Sequence, residues 1–302
     1  MDKAALEQLT RERADDKISA IQLSAFALGL PNNVSTMATE PPGGIRLAVC
    51  SAEAADVQEV VIRVQGALCS AQLPPIRAGS MLPDKGDARF MKQTVRLTGF
   101  GCEEFKKSVD AIASIAIMMG ENVERGDLES WTPVRFRNWQ ALDIGNRYFV
   151  YQHIEGDAVA IPMPASVDPD GVLASIAGEK WVYTEENEVS YFRMRINGDG
   201  KAKYTTSIPS EFKVGDLVEA QFSVLAVRRR GKENIYSLKL VLRALTLLDD
   251  THGKTARAKR MHQAVRFTNV AQRGIKRTIG YMDDEEDDDG DVPTSKMTKL
   301  TV

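Results

Sequence analysis

Apolar residues along this chain change their spacing near residue 130, and the two spacings predict two kinds of structure. Leu6, Leu9, Ile18, Ile21 and Phe26 fall mostly at three- and four-residue steps, which predicts an N-terminal helix capped by Asp2 and ended by Gly29 and Pro31. Phe105, Val109, Ile112, Ala116 and Met119 share one face of a helix predicted over residues 103–119. Glu103 and Glu104 stand where the helix dipole favours anions, and Gly120 stops the helix. Between these helices the pattern gives a turn-rich connector over 32–44, a strand at 45–50, an apolar stretch of either type at 57–68, and a strand at 94–98. Residues 1–125 are therefore expected to form a mixed α/β domain.

From Trp131 the apolar period becomes two. Strands are expected at 132–138, 146–153, 181–184, 189–196 and 201–208, the last two joined by Asn197-Gly198-Asp199-Gly200, residues that accept positive φ. The clearest pair is 217–227 with 235–248. Val218, Ala220, Phe222, Val224 and Ala226 face one way and Glu219, Gln221 and Ser223 the other. On its partner Tyr236, Leu238, Leu240, Leu242 and Ala244 oppose Ser237, Lys239 and Arg243. Residues 126–250 are expected to form a small antiparallel β-barrel, with an oligonucleotide-binding (OB) type as first choice. An SH3-like barrel or an open antiparallel sheet has the same periodicity. The expected fold class is thus α+β: an N-terminal mixed α/β region, a small OB-like barrel, and a disordered charged C-terminal tail.

Charge layout sharpens the C-terminal division. Lys254 to Arg277 carries eight Lys/Arg and no acid, whereas Asp283 to Asp291 holds eight carboxylates in nine positions. Residues 251–282 therefore read as a basic connector and 283–302 as an acidic tail, because blocks of like charge repel themselves and serve as interaction segments. Removing those eight acids from the net charge of −3 leaves +5 for the rest, a balance compatible with nucleic acid. Three widely spaced cysteines (Cys50, Cys69, Cys102) suit a reduced compartment. The first residues are charged from Asp2 onward, unlike a signal peptide, and no apolar run is long enough for a bilayer. The expectation is an intracellular protein with no membrane partner. Lys259-Arg260 and Lys276-Arg277 also suit recognition by a nuclear import receptor.

Two constellations point to chemistry. Arg228-Arg229-Arg230-Gly231-Lys232 occupies the tip of the long hairpin, a cluster of cations that phosphate would relieve. In Tyr191-Phe192-Arg193-Met194-Arg195, alternation places Tyr191, Arg193 and Arg195 on one face, while Trp181 and Tyr183 share parity on the preceding run. Arg135 and Arg137 likewise alternate with Val134 and Phe136. Rings for bases and guanidiniums for phosphates are what a single-strand binder uses. The expected binding residues are Trp181, Tyr183, Tyr191, Arg193, Arg195, Arg228, Arg229, Arg230 and Lys232. No phosphate loop, zinc spacing or catalytic dyad stands out, so no catalytic residue, metal or cofactor is expected, and the chain is not expected to be an enzyme.

Phe149-Val150-Tyr151-Gln152-His153, Trp181 to Val189, Val214 to Gln221 and Leu242 to Asp249 together resemble a set of uncharacterised proteins from mushroom-forming basidiomycete fungi. That resemblance covers about a third of the chain and implies no activity. The acidic tail is similar to the tails of single-strand DNA-binding proteins, which compete with DNA and recruit partners, although here the chain runs on through Lys296-Met297-Thr298-Lys299. The expected function is binding of single-stranded nucleic acid, DNA first, with low sequence specificity and with a tail that modulates access or recruits proteins. The alternative is a non-enzymatic scaffold with a charged docking tail.

Overall fold

The computed structural model describes residues 3–14, 21–29, 31, 33–39, 44–49, 57–77, 88–123, 127–152, 159–229 and 235–271. The first part of the chain supplies α1 (Lys3–Ala14), β1 (Ile21–Gln22), a short 3-10 helix (Leu23–Leu28), β2 (Val34–Thr39), β3 (Gly44–Val49), β4 (Gln58–Glu59) and β5 (Ile62–Gln72). Then come β6 (Lys92–Thr98), α2 (Glu103–Glu121), β7 (Asp127–Leu128), β8 (Val134–Phe136), β9 (Trp139–Arg147) and β10 (Val150–Tyr151). The remainder is α3 (Val172–Ala177), β11 (Trp181–Val182), β12 (Ser190–Ile196), β13 (Ala202–Thr206), β14 (Leu217–Arg228), β15 (Ile235–Asp249) and α4 (Thr251–Ala271).

Helices and one large mixed sheet make the fold α+β. Its main path runs β13-β12-β15-β14-β5-β6-β9-β8, with β1, β2, β3, β4 and β7 attached beside it. β14 and β15 pair along their whole length, from Leu217↔Asp249 to Arg228↔Tyr236, with irregularities after Leu217 and Gln221. The alternating apolar set fixes that register, since a one-residue slip would turn Val218, Ala220, Phe222 and Val224 out of the core, where each is fully buried.

The expected OB-like barrel is not found. β9 comes up beside β15, but no backbone ladder joins them among the described residues. The free edge of β15 is taken by β7 at Ile235–Tyr236 and by β12 at Ala244–Leu247. In the gap, the Asn146 amide of β9 donates to the Leu242 carbonyl at 3.2 Å, so a side chain stands where a closing strand pair would be.

The boundary expected at residue 125 also falls within one sheet. β5 from the first half pairs with β14 from the second, and β6 pairs with β9. Compactness instead divides the chain after Ala258, giving units Met1–Ala258 and Lys259–Val302. Sequence periodicity locates strands but is blind to which strand each will pair with.

Both faces of the central strands are covered. The even residues of β14 enter the main core with Ile62, Val64, Leu97, Ile112, Ile115 and Leu245. The opposite face is covered as well, since Glu219 and Ser223 are buried. Glu219 accepts from Gln65 and lies 3.4 Å from the buried Arg63 guanidinium, while Arg243 joins Ser223, Glu59 and Glu186. Buried polar groups on this face are thus hydrogen-bonded, as their burial demands.

The helix over 103–119 forms as expected and buries Phe105, Val109, Ile112, Ala116 and Met119, with Ile115 added. By contrast the N-terminal helix is described over Lys3–Ala14, Asp2 and Ile18 lie outside the described residues, and Ile21 and Phe26 belong to β1 and the 3-10 segment. The connector expected over 32–44 contains β2, paired with β3. A second, smaller core gathers Met91, Tyr148, Phe149, Val167, Leu173 and Tyr183.

Close packing of α2 on the sheet makes one glycine sensitive. A Cβ on Gly99 would lie 2.2 Å from the Phe105 Cβ, whereas one on Gly198 would meet nothing within 4 Å. Gly99→Ala should cost about 1–3 kcal/mol by overpacking and lower the melting temperature. Gly198→Ala should be close to neutral; equal effects in thermal melts would contradict this packing.

Candidate functional site

The rings expected to stack on bases are mostly in the interior. Tyr191 is 5% exposed, tilts against Phe212 at 5.6 Å between centroids, and donates its hydroxyl to Gln93 Oε1 at 2.5 Å. Tyr183 is 6% exposed, and burial followed by the Glu188 charge pushes its phenol up to about 12. Burial likewise drives the Tyr191 phenol well above its ordinary range. Trp181 is half-buried, lies edge-on to Tyr151 at 5.2 Å, and flanks the second core from β11. Tyr183 and Tyr191 therefore offer no open stacking face, and Trp181 is partly covered.

The reason is a burial gradient along one face of β12. Tyr191, Arg193 and Arg195 do share parity, but the start of β12 lies against β15 and only its far end emerges. Arg193, in the middle, is held by Glu211 at 3.0 Å and Asp250 at 3.1 Å. Arg195 is exposed and stands opposite Lys203 on β13, with Glu211 close enough to feel its charge.

At the long hairpin's tip, Arg228 and Arg229 are exposed, and Arg229 pairs with Glu129. Arg230 and Lys232 lie outside the described residues, as do the acidic segment 283–291, the basic segment 272–277 and Cys50.

A different cationic cluster is assembled by strand pairing. Lys92 opens β6 and Arg147 closes β9, and the two are direct cross-strand partners. Both are exposed. Lys239 of β15 joins them: burial of its stem, then the charges of Arg147, Lys92 and Arg229, push its ammonium below the ordinary lysine range against an opposing pull from Glu129. Like charges placed directly opposite on a sheet are destabilising by some ~0.2–1 kcal/mol. Elsewhere on the same strands charge is balanced. Arg96 and Asp143, also cross-strand partners, form a two-pronged pair at 2.5 and 2.8 Å. Arg46, Glu59, Glu186 and Arg243 form a closed four-residue network. Among the described residues no ion pair of this kind balances Lys92, Arg147 or Lys239, and only Lys239 feels a nearby acid, Glu129.

That cluster was hidden from the sequence. Lys92, Arg147 and Lys239 are isolated cations dozens of positions apart, and only the register of β6 on β9 and the approach of β9 to β15 bring them together. A stretch of paired cations in the sequence marks a segment, not a surface.

Other features offer less chemistry. A cavity of about 190 Å³ is lined by Thr10, Arg11, Gln22, Ser24 and Glu104. Its polar groups are engaged nearby: Thr10 donates to the Leu6 carbonyl, Arg11 to the Glu7 carbonyl, and Glu104 takes Lys107 at 2.7 Å. Burial raises the Cys69 thiol to about 11, so it stays protonated near neutrality and is a poor nucleophile. No helix among the described residues is long and apolar enough to cross a membrane. The sequence matches no protein-family model and no curated protein.

Proposed function

We propose that this protein binds nucleic acid, single-stranded and with little sequence preference, through the cationic surface formed by β6, β9 and β15. The reading rests on one observation: Lys92 and Arg147 are held opposite each other with Lys239 beside them. A fold that keeps three like charges together carries a repulsion that a polyanion removes on binding, with release of its condensed counterions. Arg228 and Arg229 at the nearby end of β14 extend the positive field, which speeds encounter with a polyanion. Exposed strand faces of this kind track a phosphate backbone without reading base edges, hence the low specificity. The acidic segment 283–291 competes for the same cations or recruits partners.

Fluorescence anisotropy with a labelled single-stranded oligonucleotide tests this directly. Binding should be measurable at low salt, and deleting residues 283–302 should tighten it, most at low salt. Absence of binding with and without the tail would overturn the reading. Weaker binding after deletion would remove only the competitive role of the tail.

A scaffold role has its own observation. Ile196 and Ile208, 69% and 52% exposed, sit on and beside the β12–β13 arm, and β13 ends the main sheet path among the described residues. Exposed apolar side chains beside an edge strand suit a protein partner. Salt-insensitive association with protein and no oligonucleotide binding would select that alternative.

A further inference from the structure

β8 and β9 form a hairpin whose two-residue turn, Arg137-Asn138, carries Arg137 at φ 54°, in the left-handed region. Its closing pair is Phe136↔Trp139, so these two rings share a side of the hairpin. Trp139 is 43% exposed. Its six-membered ring lies against Gly101, where an added Cβ would stand 2.5 Å from Trp139 Cζ3 and where φ is +79°. Behind it, Phe136 meets Phe100 edge-on at 6.5 Å, and the Arg137 guanidinium lies 5.7 Å from the Phe136 ring centre. Arg135 and Arg137 are both exposed. The result is an indole fixed in place by its neighbours and partly open to water, with Arg137 at the same hairpin tip and Arg135, opposite Gln140, on the other face.

The register of β9 links this tip to the cationic cluster. β6 and β9 pair without interruption from Lys92↔Arg147 to Thr98↔Ala141. Alternation therefore puts Trp139, Ala141, Asp143, Gly145 and Arg147 on one face, while Leu142, Ile144 and Asn146 are buried. The one acid on that line, Asp143, is neutralised by Arg96. Trp139 and Arg147 are eight residue steps apart along β9, about 26 Å at the usual rise. That length lies within reach of a few nucleotides of an extended single strand, the scale of known single-strand sites.

We propose that Trp139, at the hairpin tip that also carries Arg137, is a base-stacking subsite for a single strand whose phosphates lie on Lys92, Arg147 and Lys239. The inference rests on the nucleic-acid reading and adds the place where a base is held. Every base has an aromatic face, so such a subsite contributes affinity with little sequence preference, and one stacked base is worth about tenfold in binding. The commitment to a base follows from charge: the same face of β9 leads from Trp139 to the paired cations Lys92 and Arg147, which suit a phosphate backbone.

Two probes separate stacking from charge: an oligothymidylate, and a strand of the same length made of abasic sugar-phosphate units. Trp139→Ala in the full chain should weaken oligothymidylate binding roughly tenfold and leave abasic-strand binding and the salt dependence unchanged. Trp139→Phe should restore most of the loss, which distinguishes stacking from a general disturbance of the hairpin. Equal losses on both strands, or no loss on either, would overturn the subsite while leaving phosphate binding intact. Loss of self-association with unchanged oligonucleotide affinity would assign the ring to a second copy of the chain and overturn it as well. If the unaltered protein binds neither strand, the subsite and the underlying nucleic-acid reading fall together.

Discussion

Phe222→Ala should destabilise the protein by about 3–5 kcal/mol, the usual range for emptying a fully buried aromatic site. Phe222 is 0% exposed and sits on β14, which hydrogen-bonds to β15 on one side and to β5 and β3 on the other. Every strand that positions the cationic cluster is joined to this one, β15 directly, β6 through β5, and β9 through β5 and β6. Leu225→Ala on the same strand should cost less, because Leu225 is half-buried. Urea unfolding would measure both. A Phe222→Ala cost below about 1 kcal/mol would mean that β14 is not the centre of the core.

Neutralising the cluster with Lys92→Gln, Arg147→Gln and Lys239→Gln should separate binding from stability. At about 1 kcal/mol for each exposed ionic contact, affinity for a single strand at low salt should fall on the order of a hundredfold. Stability should stay level or rise slightly, because the same changes remove repulsion between Lys92 and Arg147 across the ladder. The opposite pairing of effects, lower stability with unchanged binding, would mark these residues as structural. Neutralising Arg193 should give that opposite pattern, since Glu211 and Asp250 already hold it.

Much of the framework was legible from residue spacing. The helix over Glu103–Glu121 and the pairing of β14 with β15 follow from apolar periods of 3.6 and 2 over long stretches. Shorter and mixed patterns misled. Leu9, Ile18 and Ile21 continue a helical spacing past Ala14, although Ile21 pairs with Ile62 in a strand. β9 is hard to see because its apolar alternation is short, with only Leu142 and Ile144 large and apolar on its buried face, and its turn, Arg137-Asn138, lacks the glycine that usually marks a hairpin.

Sites were less legible than elements. Parity correctly grouped Tyr191, Arg193 and Arg195, yet parity cannot tell that β12 starts under cover and ends in water. Exposure depends on what packs over a strand, and that is decided by segments far away in the sequence. For the same reason the cationic surface arose from single residues of three strands, while the tip arginines stood out only because they are consecutive.

Salt dependence of single-strand binding, compared between the unaltered chain and the Lys92, Arg147, Lys239 triple variant, tests the central claim most directly. Each phosphate contact to a single strand contributes roughly −0.7 to the log–log slope, so the variant's slope should be shallower by about 2. An identical slope in the two proteins would show that phosphates do not meet these cations, and the proposed binding surface would be wrong.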